Sequence, residues 1–242
     1  MLRMFRSEWL KIRRSVLWLI AAVSPLIASL FGLFGLRLQE GEFPWTETLS
    51  LMSVLHAMLF LPLLTGIFAA LVCRYEHNGG GWKAMLAMPV SRTQIYVVKF
   101  AVVMGLLALT QALLLIALIA VGLSRGFDDP IPWRMLLTSF GGGWIACLPL
   151  AALQLFVSIA LQSFAAPLAI NVILTLPNIM IVNSARYAPY DPWAQPMLAM
   201  LPRDSMSYAA LNLSAESLYL VVLGSFCVFF AAGWRYFVRK AV

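Results

Sequence analysis

From Met135 to Ala185 the chain runs for 51 residues without one ionised side chain. A water-facing element cannot do this, whereas a bilayer core of about 30 Å demands it, at about 20 helical residues per crossing. The stretch is too long for one crossing and right for two. Its break is expected at Leu161-Gln162-Ser163, with Pro167 in the first turn of the next helix, where a missing N–H costs little. Ser15–Leu36, Thr48–Cys73, Phe100–Ser124 and Ser217–Trp234 are also charge-free and fit one crossing each. The expectation is one all-α integral membrane domain over residues 1–242, with six transmembrane helices near 15–36, 50–73, 98–123, 137–160, 164–183 and 216–237. Composition agrees: charged residues are 11% of the chain and hydrophobic ones 62%, against about a quarter charged in soluble domains. So little charge cannot cover a water-facing surface, which argues against a soluble enzyme, a disordered tail or a nucleic-acid partner. Strand-like alternation is absent from these runs, which disfavours a β-barrel. The first span follows a long basic leader and reads as a retained helix rather than a cleaved signal peptide.

Orientation follows from the lysines and arginines. With six crossings, the N-terminal segment, residues 74–99 and the C-terminus share one side. That side holds 12 of the 17 basic residues and only Glu8 and Glu76 among the acids. The two sides carry +10 and −3, together the net +7. The excess of basic residues predicts both termini on the cytoplasmic side, and the expected location is a plasma membrane, as in bacteria.

Intramembrane charge marks proton relays, ion-coupled carriers and voltage sensors. The charge-free runs offer only neutral polar groups, so a carrier driven by protons or sodium is disfavoured. Gln111, Gln154, Asn171 and Asn178 are candidate pathway-lining residues, or else interhelical glue. Catalysis has little to work with. The only histidines are His56, in the outer part of the second span, and His77, in a cytoplasmic loop. No Cys/His/carboxylate cluster has metal-ligand spacing, and Cys73, Cys147 and Cys227 fall within spans, so no disulfide framework is implied. Neither Gly79–Trp82 nor Gly141–Trp144 is a phosphate loop, because no lysine follows a glycine in the required pattern. The second string suits close helix approach. The chain is therefore read as no enzyme, with no cofactor of its own.

Residues 74–99 carry the most information. An Asn78-Gly79-Gly80-Gly81 stretch ends the second helix. A short helical piece follows, Trp82 to Met88, with Trp82, Met85, Leu86 and Pro89 on or near one face. Ser91-Arg92-Thr93-Gln94 then matches a capping box that restarts a helix. A small amphipathic helix bearing tryptophan and methionine suits either lipid headgroups or a groove on a soluble partner, with Lys83 and Arg92 flanking it.

The order Glu76…Trp82-Lys83-Ala84-Met85-Leu86-Ala87-Met88-Pro89-Val90-Ser91-Arg92…Ile95-Tyr96…Lys99 resembles the E…W-K-x-L-x-x-P-V-S-R-x-x-I-Y-x-x-K segment of ABC-2 type permeases. The nearest likeness is to the peptide-export permeases of the lantibiotic-immunity and bacitracin-resistance kind, with Met85 partly replacing leucine and a triple glycine before Trp82. In that family the segment is the coupling helix between spans 2 and 3, which docks on an ATP-binding subunit. The resemblance therefore implies that Glu76, Trp82, Lys83, Met85, Leu86, Pro89 and Arg92 contact a separate ATPase, and that this partner binds ATP and magnesium. It implies an ATP-driven exporter of an amphiphilic peptide or drug-like substrate, as in lantibiotic self-immunity, working as a homodimer or with a second permease.

Two more regions fit. Leu2, Phe5, Trp9 and Ile12 recur at helical spacing among Arg3, Arg6, Lys11, Arg13 and Arg14, as in an interfacial helix on anionic lipid. Ser184–Glu216, with four prolines and many apolar residues, is expected to be a re-entrant outer segment before the sixth span. A polytopic membrane enzyme and a non-transporting anchor or sensor subunit remain the alternatives.

Overall fold

The computed structural model describes residues 2–13, 15–34, 44–77, 81–82, 90–161, 163–202 and 214–240. Its elements are α1 (Leu2–Arg13), α2 (Leu17–Phe34), α3 (Pro44–Leu55), a π-helical turn (His56–Phe60), α4 (Leu61–His77), α5 (Arg92–Ser124), α6 (Trp133–Ala146), α7 (Leu148–Ala160), α8 (Ala165–Thr175), α9 (Asn178–Ile181), a 3₁₀ turn (Ala188–Tyr190), α10 (Gln195–Met200) and α11 (Ala215–Arg239). No strand occurs among the described residues.

Five stretches are long and apolar enough to cross a membrane: α2, Pro44–His77, α5, Trp133–Ala160 and α11. The sixth expected span is shorter, an apolar stretch Ala165–Ile181 divided into α8 and α9. Pro177 explains the division, because it has no N–H to give to the carbonyl one turn back. The break at 161–163 falls where the charge-free stretch implied it, since α7 ends at Ala160 and α8 begins at Ala165 with Pro167 in its first turn. Ser91 caps α5 as the spacing implied, its hydroxyl accepting from the Gln94 N–H at 3.3 Å.

The helices outrun the charge-free stretches. α4 continues to His77 and α5 begins at Arg92, so Glu76 and Lys99 both lie on span-length helices and both are buried. The expectation of spans empty of charge is corrected on this point. The physical reason is mutual neutralisation, described below.

α5 forms the hub, packing on α1, α2, α3, α4, α6, α7 and α11. The most extensive pairing is α11 on α7, where Gly233 lets the helices close over Tyr96 and Phe156. Such closeness matters in lipid, where dispersion and small residues replace the hydrophobic drive between helices. Two of the three central glycines of α6 act the same way: a Cβ on Gly142 would meet Tyr219, and one on Gly143 would meet Met200. Gly141 has open space instead.

Segment 184–202 folds back onto the bundle. Pro189, Trp193, Met197 and Met200 are buried, and α10 packs on α6. On α1, Phe5, Trp9 and Leu10 are exposed while Glu8 is buried. The apolar surface of α1 thus faces outward and one carboxylate faces the bundle. The side chains of Leu2, Arg3, Ile12 and Arg13 lie outside the described residues.

Candidate functional site

Four charged side chains close a ring where α1, α4 and α5 meet. Lys11 Nζ lies 2.7 Å from Glu8 Oε1 and 2.8 Å from Glu76 Oε1. Lys99 Nζ lies 2.9 Å from Glu76 Oε2 and 3.5 Å from Glu8 Oε2. Signs alternate around the ring and its net charge is zero, which is how four ions can be withdrawn from water together. Lys99 is wholly buried, and it also donates to the Val72 carbonyl at 2.9 Å. Burial works against the Lys11 ammonium, but hydrogen bonds to Glu76 and Glu8 outweigh it and hold its pKa above the ordinary lysine value.

The ring is roofed by Trp82, whose indole faces Lys99 Nζ at 5.6 Å from the ring centroid. Trp82 Nε1 donates to His77 Nδ1 at 3.2 Å. That leaves the proton of a neutral His77 on Nε2, which meets the Ser158 carbonyl of α7 at 2.7 Å. Arg92 donates to the carbonyls of Val238 and Lys240 at 2.8 and 2.7 Å, closing the C-terminal end of α11. Lys240 in turn donates to the Ile159 carbonyl at 2.8 Å, closing the end of α7. Cations on the last carbonyls of helices are favourable because those groups lack intrahelical donors. One end of the bundle thus gathers α1, the end of α4, the start of α5 and the ends of α7 and α11. At the opposite end, Arg125 donates to the Gly32 carbonyl at 2.8 Å and Trp45 to the Asp129 carbonyl at 3.1 Å.

Of the residues expected to contact an ATPase, Glu76 and Trp82 turn inward and Arg92 is half-buried on α11. Lys83, Met85, Leu86 and Pro89 lie outside the described residues. Sequence reasoning missed Glu8, Lys11, His77 and Lys99 as members of this cluster. The available signal was a lysine immediately before one charge-free run, matched by a glutamate three residues after the end of another.

The four neutral candidates are all buried, and none lines a described cavity. Three of them join around α4. Pro62 has no N–H for the Met58 carbonyl, and the π turn shifts the Leu61 N–H onto His56. Asn178 fills the gap, donating to the Met58 carbonyl and to that of Trp193 at 2.9 Å each. Asn171 donates to the Pro62 carbonyl at 3.0 Å, while its Oδ1 accepts from Gln154 and from the Trp193 indole, both at 3.0 Å. Gly66 makes the room, since a Cβ there would meet the Asn171 side chain. Gln111 stands apart, its amide 3.3 Å from Met200 Sδ. Irregular backbone at membrane depth survives only when protein satisfies it, and these side chains do so.

The fold also brings Ser24 and His56 to one depth, Oγ and Nδ1 sharing a hydrogen bond of 2.6 Å. Both side chains are completely buried. This pair fastens α2 to the π turn and presents no face to a substrate. Among the described residues, no group of three or more His, Cys, Asp or Glu side chains is placed to hold a metal.

Five span-length apolar helices, with ionic chemistry gathered at one end and neutral side chains repairing the backbone within, define a multi-pass α-helical membrane protein. Over residues 4–178 the chain matches the family model described as an ABC-2 family transporter protein, and it belongs to that family. Among curated proteins no match to the chain is found. The chain is accordingly a membrane permease of an ABC transporter, a type of subunit that normally works with an ATP-binding partner.

Proposed function

We propose that this permease is the membrane subunit of an ATP-driven exporter, coupled to a separate ATPase through residues 76–92. The observation that carries the reading is the network joining this segment to α1, α5, α7 and α11. Glu76 reaches α1 and α5, His77 reaches α7, and Arg92 reaches the end of α11. A displacement of the segment therefore acts on all four helices together. The inward turn of Glu76 and Trp82 supports a transmitting role for them, with Lys83, Met85, Leu86 and Pro89 as the docking residues in this reading. Closure of an ATPase dimer would then bias two states of the bundle, as coupling requires.

Six crossings with both termini on the cytoplasmic side fit this reading. Support comes from the shared location of α1 and the end of α11 at the end richest in basic residues. α8 and α9 would make the remaining crossing, and segment 184–202 would cap the outer end. The cargo class, an amphiphilic peptide or drug-like molecule, rests on the likeness of residues 76–99 to peptide-export permeases, lantibiotic immunity included. The burial of Gln111, Gln154, Asn171 and Asn178 favours structural bonding over cargo contact.

Co-purification tests the coupling. The wild-type chain should bring down an ATP-binding subunit, and Met85→Ala with Leu86→Ala should abolish this without loss of expression. Retained association would remove the coupling role of the segment.

A further inference from the structure

We propose that a trough between α6, α10 and α11 holds an acyl chain of a membrane phospholipid whose phosphate rests on Arg134. The cavity has a volume of about 570 Å³, within the range of sites that enclose a whole ligand, about 300–1,000 Å³. Its walls are one face of α6, segment 198–202 and the first turns of α11. Trp133–Ala160 and α11 are both of membrane-spanning length and hydropathy, and on this proposal the trough between them opens to lipid. An apolar hollow left empty beside hydrocarbon forfeits the dispersion contacts of its lining. Chains therefore enter it.

Three features make this a built site. The floor is open by sequence: Gly142 and Gly143 are occupied by their neighbours, whereas a Cβ on Gly141 would meet nothing within 4 Å. The hydroxyls beside it are already used, Thr138 on the Arg134 carbonyl at 2.8 Å and Ser139 on the Met200 carbonyl. The trough therefore presents mostly hydrocarbon to its occupant. Finally, Leu137, Thr138, Gly141 and Ile145 line one stripe of α6, and Arg134 begins it at the i, i+3, i+4, i+7 and i+11 spacing.

Arg134 is exposed in the first turn of α6, with no carboxylate within 4 Å among the described residues. An arginine there extends toward the headgroups, at the height where the phosphate of a lipid whose tail fills the trough must sit. Glu216, exposed in the first turn of α11 next to the lining residue Ala215, disfavours a second negative group. The occupant is thus a phospholipid with a single phosphodiester. This requires only that the chain is membrane-embedded, and it stands apart from the coupling reading.

The test uses phosphatidylethanolamine with a diazirine midway along one chain, in nanodiscs of phosphatidylcholine around the full chain with whatever partners co-purify. Labelling at 135–145, 198–202 and 215–219 should be denser than on the exposed faces of α2 and α8. Gly141→Phe should remove the excess while leaving α2 and α8 unchanged. A phosphate-free diacylglycerol carrying the same diazirine chain should label the trough less than the phosphatidylethanolamine does, and Arg134→Gln should erase that difference, whereas equal labelling by the two probes in the wild type removes the phosphate contact. If Gly141→Phe alters labelling of α2 and α8 as well, the smaller Gly141→Val takes its place. Trough labelling no denser than on α2, or untouched when the trough is filled, overturns the proposal.

Discussion

Lys99 Nζ lies 2.9 Å from Glu76 Oε2, a lysine without solvent exposure paired to a glutamate with almost none. The two residues stand at the ends of consecutive long helices, and the ring they share with Glu8 and Lys11 holds α1 in place. A buried ion keeps its charge at acceptable cost only while its partners remain. The four residues should therefore behave as one energetic unit.

Lys99→Met should strip that balance and destabilise the protein by about 3–5 kcal/mol. The double variant Lys99→Met/Glu76→Gln should recover most of the loss, because no charge is then left facing an unpaired one. Thermal unfolding in detergent reads both. If the double variant is as unstable as the single, the ring is not a coupled unit. Lys11 adds a pH signature. Its pKa is raised in the folded state, so its contribution is complete below the ordinary lysine value and is lost only as pH climbs through the raised one.

Asn178 and Pro62 should be coupled although 116 positions separate them in sequence. Asn178→Ala leaves the Met58 carbonyl without its donor. In a Pro62→Ala background the restored helical N–H can take that carbonyl, so the asparagine should matter less by about 0.5–1 kcal/mol, the scale of single polar contacts between membrane helices. Equal losses in the two backgrounds, by thermal or denaturant unfolding, would remove the backbone-repair role.

The glycines of α6 should be unequal. Gly143→Ala drives a methyl into Met200 and should cost about 1–3 kcal/mol, as overpacking does. Gly141→Ala meets open space and should change stability by less than about 0.5 kcal/mol. Comparable melting shifts for the two would contradict the packing described here.

Asp191 should make segment 188–200 sensitive to pH. Burial raises its pKa, against the opposing hydrogen bond from the Trp193 N–H. A raised folded value favours the protonated form, so this contribution is present below the ordinary aspartate range and fades as pH rises through the raised value. Asp191→Asn keeps an acceptor for Trp193 and cannot ionise. It should be more stable than wild type at neutral pH, with the advantage vanishing in acid. An unchanged melting temperature at neutral pH would falsify the assignment.

Much of the helical framework was legible because it depends on local chemistry. Charge-free runs, the interruption at Leu161-Gln162-Ser163 and the cap at Ser91 each follow from a few neighbouring residues. The π turn at His56–Phe60 was not legible. It exists together with Pro62 and with two asparagines more than 100 positions away, and no local pattern encodes such partners. Lys99 is the sharpest case. Read along the chain it bounds a span, whereas in space it is buried and paired. Trp82 likewise belongs to a segment whose resemblance implies an ATPase contact, while its ring is committed to Lys99 and His77.

Hydropathy and charge distribution, which add residue by residue, were enough to establish a basic, multi-pass helical membrane protein, while the permease type came from the resemblance of residues 76–99. Which polar side chains meet was decided in three dimensions. In hydrocarbon each buried ion or freed carbonyl must find a partner within the protein, and the partner is chosen by how the helices cross.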